Sequence, residues 1–64
     1  MIIKWRNKWS GEEGYVKCLN RKGGYFENTF EKSEAKVWNK NAIARTIKTL
    51  CEYCSDNEYE AVTA

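Results

Sequence analysis

Asn39-Lys40-Asn41-Ala42-Ile43-Ala44-Arg45-Thr46-Ile47-Lys48-Thr49-Leu50-Cys51-Glu52-Tyr53-Cys54 is the stretch that decides the fold. Ile43, Ile47, Leu50, Cys51 and Cys54 fall at i, i+4, i+7, i+8 and i+11, which is one face of an α-helix. Lys40, Arg45, Lys48 and Glu52 lie largely off that stripe. Asn39 stands where an N-cap belongs, since its side-chain oxygen can accept from the unpartnered amides of a first turn. The spacing predicts a helix over residues 40 to 54. Helices shorter than about 12 to 15 residues are marginal alone in water, so this stripe must be covered by another part of the chain.

Only β-structure remains to cover it. Ile3, Trp5 and Asn7 alternate with Lys4, Arg6 and Lys8, the period of a half-buried strand, predicted at residues 2 to 8. Ser10-Gly11-Glu12-Glu13-Gly14 supplies glycines for a reversal, and Tyr15-Val16-Lys17-Cys18-Leu19 resumes β-rich composition as a second strand. Asn20-Arg21-Lys22-Gly23-Gly24 carries the residue types that tolerate positive φ, and Tyr25-Phe26-Glu27-Asn28 follows it. Strands 2 and 3 are therefore expected to form an antiparallel hairpin. Thr29 to Lys36 reads as a loop leading to a short apolar pair, Val37-Trp38. Ser55-Asp56-Asn57 ends the helix with turn chemistry, and Glu58-Tyr59-Glu60-Ala61-Val62-Thr63 alternates as a closing strand.

The fold class is α+β. A small antiparallel sheet of three to four strands is expected to carry one amphipathic helix on one face, in the order βββ(β)αβ, as a single domain over residues 1–64. The final strand could join strand 1 or the strand 3 edge, with a right-handed crossover if it lies parallel to its neighbour.

Length and composition bound the rest. A chain of 64 residues buries only about 60% of its unfolded surface, so the core must be thin. Three Trp, four Tyr and two Phe compensate in part, because each aromatic can bury roughly 150–250 Å². With 42% hydrophobic residues and no proline the chain does not read as disordered. Nothing approaches a signal peptide or the roughly 18 apolar residues of a membrane span, so no membrane association and a cytoplasmic location are expected. Three cysteines, an odd number, fit free thiols in a reducing compartment.

Cys51-Glu52-Tyr53-Cys54 resembles a metal or dithiol motif. A structural zinc needs four ligands, and with no histidine and only Cys18 left the set is incomplete. A redox pair belongs at a helix N-terminus, whereas this one lies at the C-terminal end, where the dipole opposes thiolate. Both thiols are read as a continuation of the core stripe. No metal and no cofactor are expected. A chain without histidine has no histidine-activated nucleophile, and its acids are scattered, so no enzymatic activity is expected.

Two binding surfaces remain. Lys4, Arg6, Lys8, Lys17, Arg21 and Lys22 interleave with Trp5, Trp9, Tyr15, Tyr25 and Phe26, the ingredients of a single-strand nucleic-acid platform. Alternation places Trp5 and the strand 1 cations on opposite faces, which argues against it. Trp9 and Trp38, near element ends, suit either a partner hot spot or the ends of a thin core. With Arg21, Lys22 and Tyr25 of the hairpin they form the candidate partner-binding set.

Asn20-Arg21-Lys22-Gly23-Gly24-Tyr25-Phe26-Glu27-Asn28-Thr29-Phe30, then Ala35-Lys36-Val37-Trp38-Asn39 before the helix, and Glu58-Tyr59-Glu60-Ala61-Val62 at the end resemble small accessory proteins of phages and prophages of Gram-positive bacteria. The likeness spans residues 14 to 63. It implies a hairpin, one helix and a closing strand, and a non-enzymatic protein-binding role, including inhibition of a host nuclease or antiviral defence complex in the host cytoplasm. Nucleic-acid binding by the basic hairpin is the alternative, and a monomer or a homodimer through a sheet edge fits either.

Overall fold

The computed structural model describes residues 1–64. Four strands, β1 (Ile2–Asn7), β2 (Glu13–Asn20), β3 (Tyr25–Thr29) and β4 (Asn57–Val62), form one antiparallel sheet in the order β3-β2-β1-β4, and α1 (Lys40–Tyr53) packs on one face. The α+β architecture is the expected one. β4 lies antiparallel beside β1, from Ile2↔Val62 to Asn7↔Asn57, so no parallel crossover arises.

Each reversal is held by an asparagine. Asn7 Oδ1 accepts from the amides of Trp9 and Ser10, both at 2.9 Å, and Gly11 takes the positive φ of 75° that lets the chain return to β2. Asn20 Oδ1 accepts from Gly23 N, and Gly24 takes φ 70°. Gly14 is not part of a turn, contrary to its expected role. It lies inside β2 opposite Trp5, where the indole passes over it.

Ile3, Trp5 and Val16 of the sheet and Ile43 and Leu50 of the helix form the core, with Phe26, Trp38, Ile47, Tyr59 and Ala61 packed around them. Trp5 reaches across Gly14 to Phe26 and Phe30, at ring-centroid separations of 6.4 and 6.3 Å, and Phe26 meets Tyr59 edge-on at 5.9 Å. The indole N–H groups of Trp5 and Trp38 are both buried without a partner. Such a group costs about 1–3 kcal/mol, so these rings are held for the area they fill.

Asn39 caps α1 as expected, its Oδ1 accepting from Ala42 N at 2.8 Å. The buried face differs from the expected stripe. Ile43, Thr46 and Leu50 are buried, Ile47 and Cys54 are half-buried, and Cys51 is exposed. Taking Ile43 as the origin and about 100° per residue, Leu50 and Thr46 turn to about −20° and −60°, while Cys51 turns to about +80°. The helix leans toward the Thr46 side, because the Thr46 hydroxyl donates to Ala42 C=O at 2.9 Å and leaves its methyl group to pack. Reading Cys51 as core is thereby corrected.

No strand forms at Val37-Trp38. A 3-10 turn at Lys32–Glu34 follows β3, and the chain then crosses extended to the helix. β1 and β2 pair only from Lys4↔Tyr15 to Arg6↔Glu13. Beyond that pairing the crossing segment bonds to both strands: Lys36 N–H donates to Val16 C=O and Trp38 N–H to Met1 C=O, and the Met1 ammonium donates to Trp38 C=O at 2.8 Å. Ile2, whose side chain alternates away from α1, is only 1% exposed and shares a hollow with Ala35 and Val37 of this segment. No helix is long and apolar enough to cross a membrane.

Candidate protein-binding surface

The sheet face opposite α1 carries the strand 1 cations, and the fold surrounds them with acids. Arg6 stands between Glu13 of β2 and Glu58 of β4, and Lys4 between Tyr15 and Glu60. Lys4 Nζ lies 3.4 Å and Arg6 Nε 3.9 Å from the Glu13 carboxylate. Two cations thus face three carboxylates on neighbouring strands, and their field is cancelled within one cross-strand spacing. Lys17 pairs with Glu34 at 3.7 Å. Lys8 lies beyond the end of β1, and Arg21 and Lys22 project from the exposed β2–β3 tip without an ion pair. The six cations therefore occupy separate places and form no continuous basic stripe.

The candidate partner-binding residues are divided in the same way. Arg21, Lys22 and Tyr25 share the β2–β3 tip, where Tyr25 OH accepts from Asn20 Nδ2 at 3.0 Å. Trp38 is half-buried against the core, with Lys36 Nζ 4.5 Å from its ring centroid. Trp9 lies at the opposite end of β2, in the β1–β2 turn, and is 82% exposed. Of the two tryptophans, Trp38 is a core-end residue and Trp9 is the surface one.

The exposed indole is nonetheless positioned. Its amide bonds to Asn7 Oδ1 and its Nε1 donates to Asp56 Oδ1 at 3.3 Å, which ties the turn to the start of β4. Lys8 N–H also donates to Asp56 C=O at 2.8 Å. Beside this tie a hollow of about 360 Å³ opens at the C-terminal end of α1, with Trp5 and Phe26 among its apolar walls and Asn28, Glu12 and Asp56 among its polar ones. Asn57, buried at this end, accepts from Asn7 Nδ2 at 3.2 Å and donates to Tyr59 OH at 3.4 Å; Tyr59 OH donates to Cys54 C=O at 3.0 Å. Burial pushes the Tyr59 phenol up to about 12. A small polar network thus fixes the floor of this end of the molecule. Sequence reasoning missed Asn7, Asn57 and Asp56, although an Asn two residues before Trp9 was a sign of a side-chain-capped turn.

The cysteines stay separate. Cys18 Sγ donates to Glu27 Oε2 at 2.6 Å, and this bond, followed by desolvation and the carboxylate charge, raises the Cys18 pKa above its usual value. Cys51 and Cys54 join no cluster of three or more metal-ligating side chains. All three are free thiols. No family model, characterised protein or solved structure matches the chain.

Proposed function

We propose that this chain is a non-enzymatic protein-binding module that engages its partner through the Trp9 end. The observation that carries the reading is Trp9 itself: a residue that is 82% exposed yet held by Asn7 at its backbone amide and by Asp56 at its indole N–H, beside a hollow with aromatic walls. Tryptophan is among the residues that dominate binding energy at interfaces, and one already held in place loses little side-chain freedom on docking. The resemblance to phage accessory proteins supports a host protein as partner, with a host nuclease or antiviral defence complex as the class to try first.

Cancellation of the Lys4 and Arg6 charges by Glu13, Glu58 and Glu60 weighs against nucleic acid as the main ligand. The test is capture from host lysate, with and without nuclease, by the native chain and by Trp9→Ala. A defined protein retained after nuclease treatment and lost with Trp9→Ala supports the reading. Retention that disappears with nuclease, or falls steeply from low to moderate salt, replaces it with nucleic-acid binding through Arg21 and Lys22.

A further inference from the structure

The sheet has two free edges, and they differ in charge. β4 carries Glu58 and Glu60, whereas β3 carries a single acid, Glu27, whose carboxylate already accepts the Cys18 thiol. A two-fold axis normal to the sheet sets residues of the same side opposite each other, so a strand paired with its own copy is centred on one residue. On β4, centring on Tyr59 sets Glu58 against Glu60 of the other copy, and centring on Glu60 sets that carboxylate against itself. Like charges directly opposite are destabilising, so both of these registers are disfavoured.

The β3 edge has a register without that conflict. Val16 C=O is occupied by Lys36 N–H at 3.1 Å, on the side away from β3, so Val16↔Asn28 is a non-hydrogen-bonded pair and the Asn28 amide and carbonyl point off the edge. By alternation those of Phe26 point the same way; β3 ends at Thr29, and Phe30 follows it in a bend. Centring on Asn28 sets Asn28 against Asn28 and Glu27 against Thr29, and brings Phe26 of one copy beside Phe30 of the other, just past the end of the strand. Phe30, 63% exposed, already lies against Trp5 on the helix face, and Phe26 is half-buried there. Contacts between Phe26 of one copy and Phe30 of the other would extend the Trp5 aromatic cluster across the joint, and aromatic contacts of this kind favour association.

We propose that a second copy of this chain is the partner of the β3 edge, giving a two-fold dimer whose sheet runs continuously through two antiparallel β3 strands centred on Asn28. This edge adjoins the Trp9 end, since Phe26 and Asn28 also line the hollow beside it, but the dimer is read by mass and the binding proposal by capture, so either can fail alone.

Light scattering on the native chain from low micromolar to high micromolar concentration is expected to show a rise from the 7.5 kDa chain mass to twice that value. Asn28→Pro removes the outward amide but no β2–β3 hydrogen bond, and is expected to weaken association about tenfold or more. Phe30→Lys acts by removing the aromatic pair, and Glu60→Lys on the other edge leaves association unchanged. In a mixed-label sample, nuclear Overhauser contacts between the Phe26 ring of one copy and the Phe30 ring of the other fix the register. Circular dichroism melting confirms that each variant is folded. Chain mass throughout the range overturns the proposal, as does a dimer that survives Asn28→Pro and Phe30→Lys or is altered by Glu60→Lys.

Discussion

The Trp5 indole occupies the space a side chain on Gly14 would need: a Cβ there would sit 2.7 Å from Trp5 Cζ2. Neither partner can move easily. Gly14 is fixed by its pairing in β2, and Trp5 is 6% exposed between Phe26, Phe30 and the helix. Gly14→Ala is therefore an overpacking substitution, expected to destabilise by about 1–3 kcal/mol. Gly23→Ala also meets an aromatic ring, that of Tyr25, but Tyr25 is half-exposed and can swing into solvent. Its cost should stay below about 1 kcal/mol. Urea midpoints of the two variants check the order, which equal losses would contradict.

That contact also marks how far the sequence could be read. Periodicity gave four strands and a capped helix, because alternation at Ile3-Trp5 and the Ile43-Ile47-Leu50 spacing are direct imprints of which side is dry. It misplaced Gly14 because glycine before a strand looks like a turn residue, and only the register Trp5↔Gly14 reveals a ring lying over it. Thr46 was passed over for a similar reason, since its hydroxyl is satisfied within its own helix turn and the residue then packs as an apolar one. The charge ladder was hidden as well. Strand 1 reads as basic and strand 4 as acidic until β4 is known to lie beside β1.

The two surface tryptophan candidates should part in a stability assay. The Trp38 side chain packs against the core, so Trp38→Ala is expected to cost about 2–4 kcal/mol. Trp9→Ala removes one exposed hydrogen bond and should change stability by about 0.5 kcal/mol or less. Thermal melts read both, and a large loss at Trp9 would make it a structural residue.

Thiol chemistry gives an independent check on the helix orientation. Cys51 is exposed on α1 and is expected to react first with a neutral maleimide. Cys18 donates its proton to the Glu27 carboxylate, which favours the thiol over the thiolate, so its alkylation should require a higher pH than Cys51. Glu27→Gln removes the carboxylate charge and should bring the Cys18 profile to lower pH. Mass spectrometry of partially labelled protein assigns the order. Slow labelling of Cys51 would restore it to the core.

Tyr59 makes the closing strand sensitive to alkali. Its phenol is half-buried under the end of α1, donates to Cys54 C=O and accepts from Asn57, and burial raises it from 10.0 to about 12. The folded protein therefore holds this proton more tightly than the unfolded chain does. The stability linked to it is complete below pH 10, falls as the unfolded chain begins to ionise, and is gone once pH passes about 12. Tyr59→Phe has no proton to lose. It should be less stable than the native chain at neutral pH by about 1 kcal/mol, the worth of the missing hydrogen bonds. Between pH 10 and 12 the gap should close and then reverse, because only the native chain loses the stability linked to its raised phenol pKa. Urea midpoints taken at intervals across that range measure the difference directly. Parallel curves would mean that the phenol is solvated, and that the Asn57–Tyr59–Cys54 network does not fix the floor beneath Trp9 and its hollow.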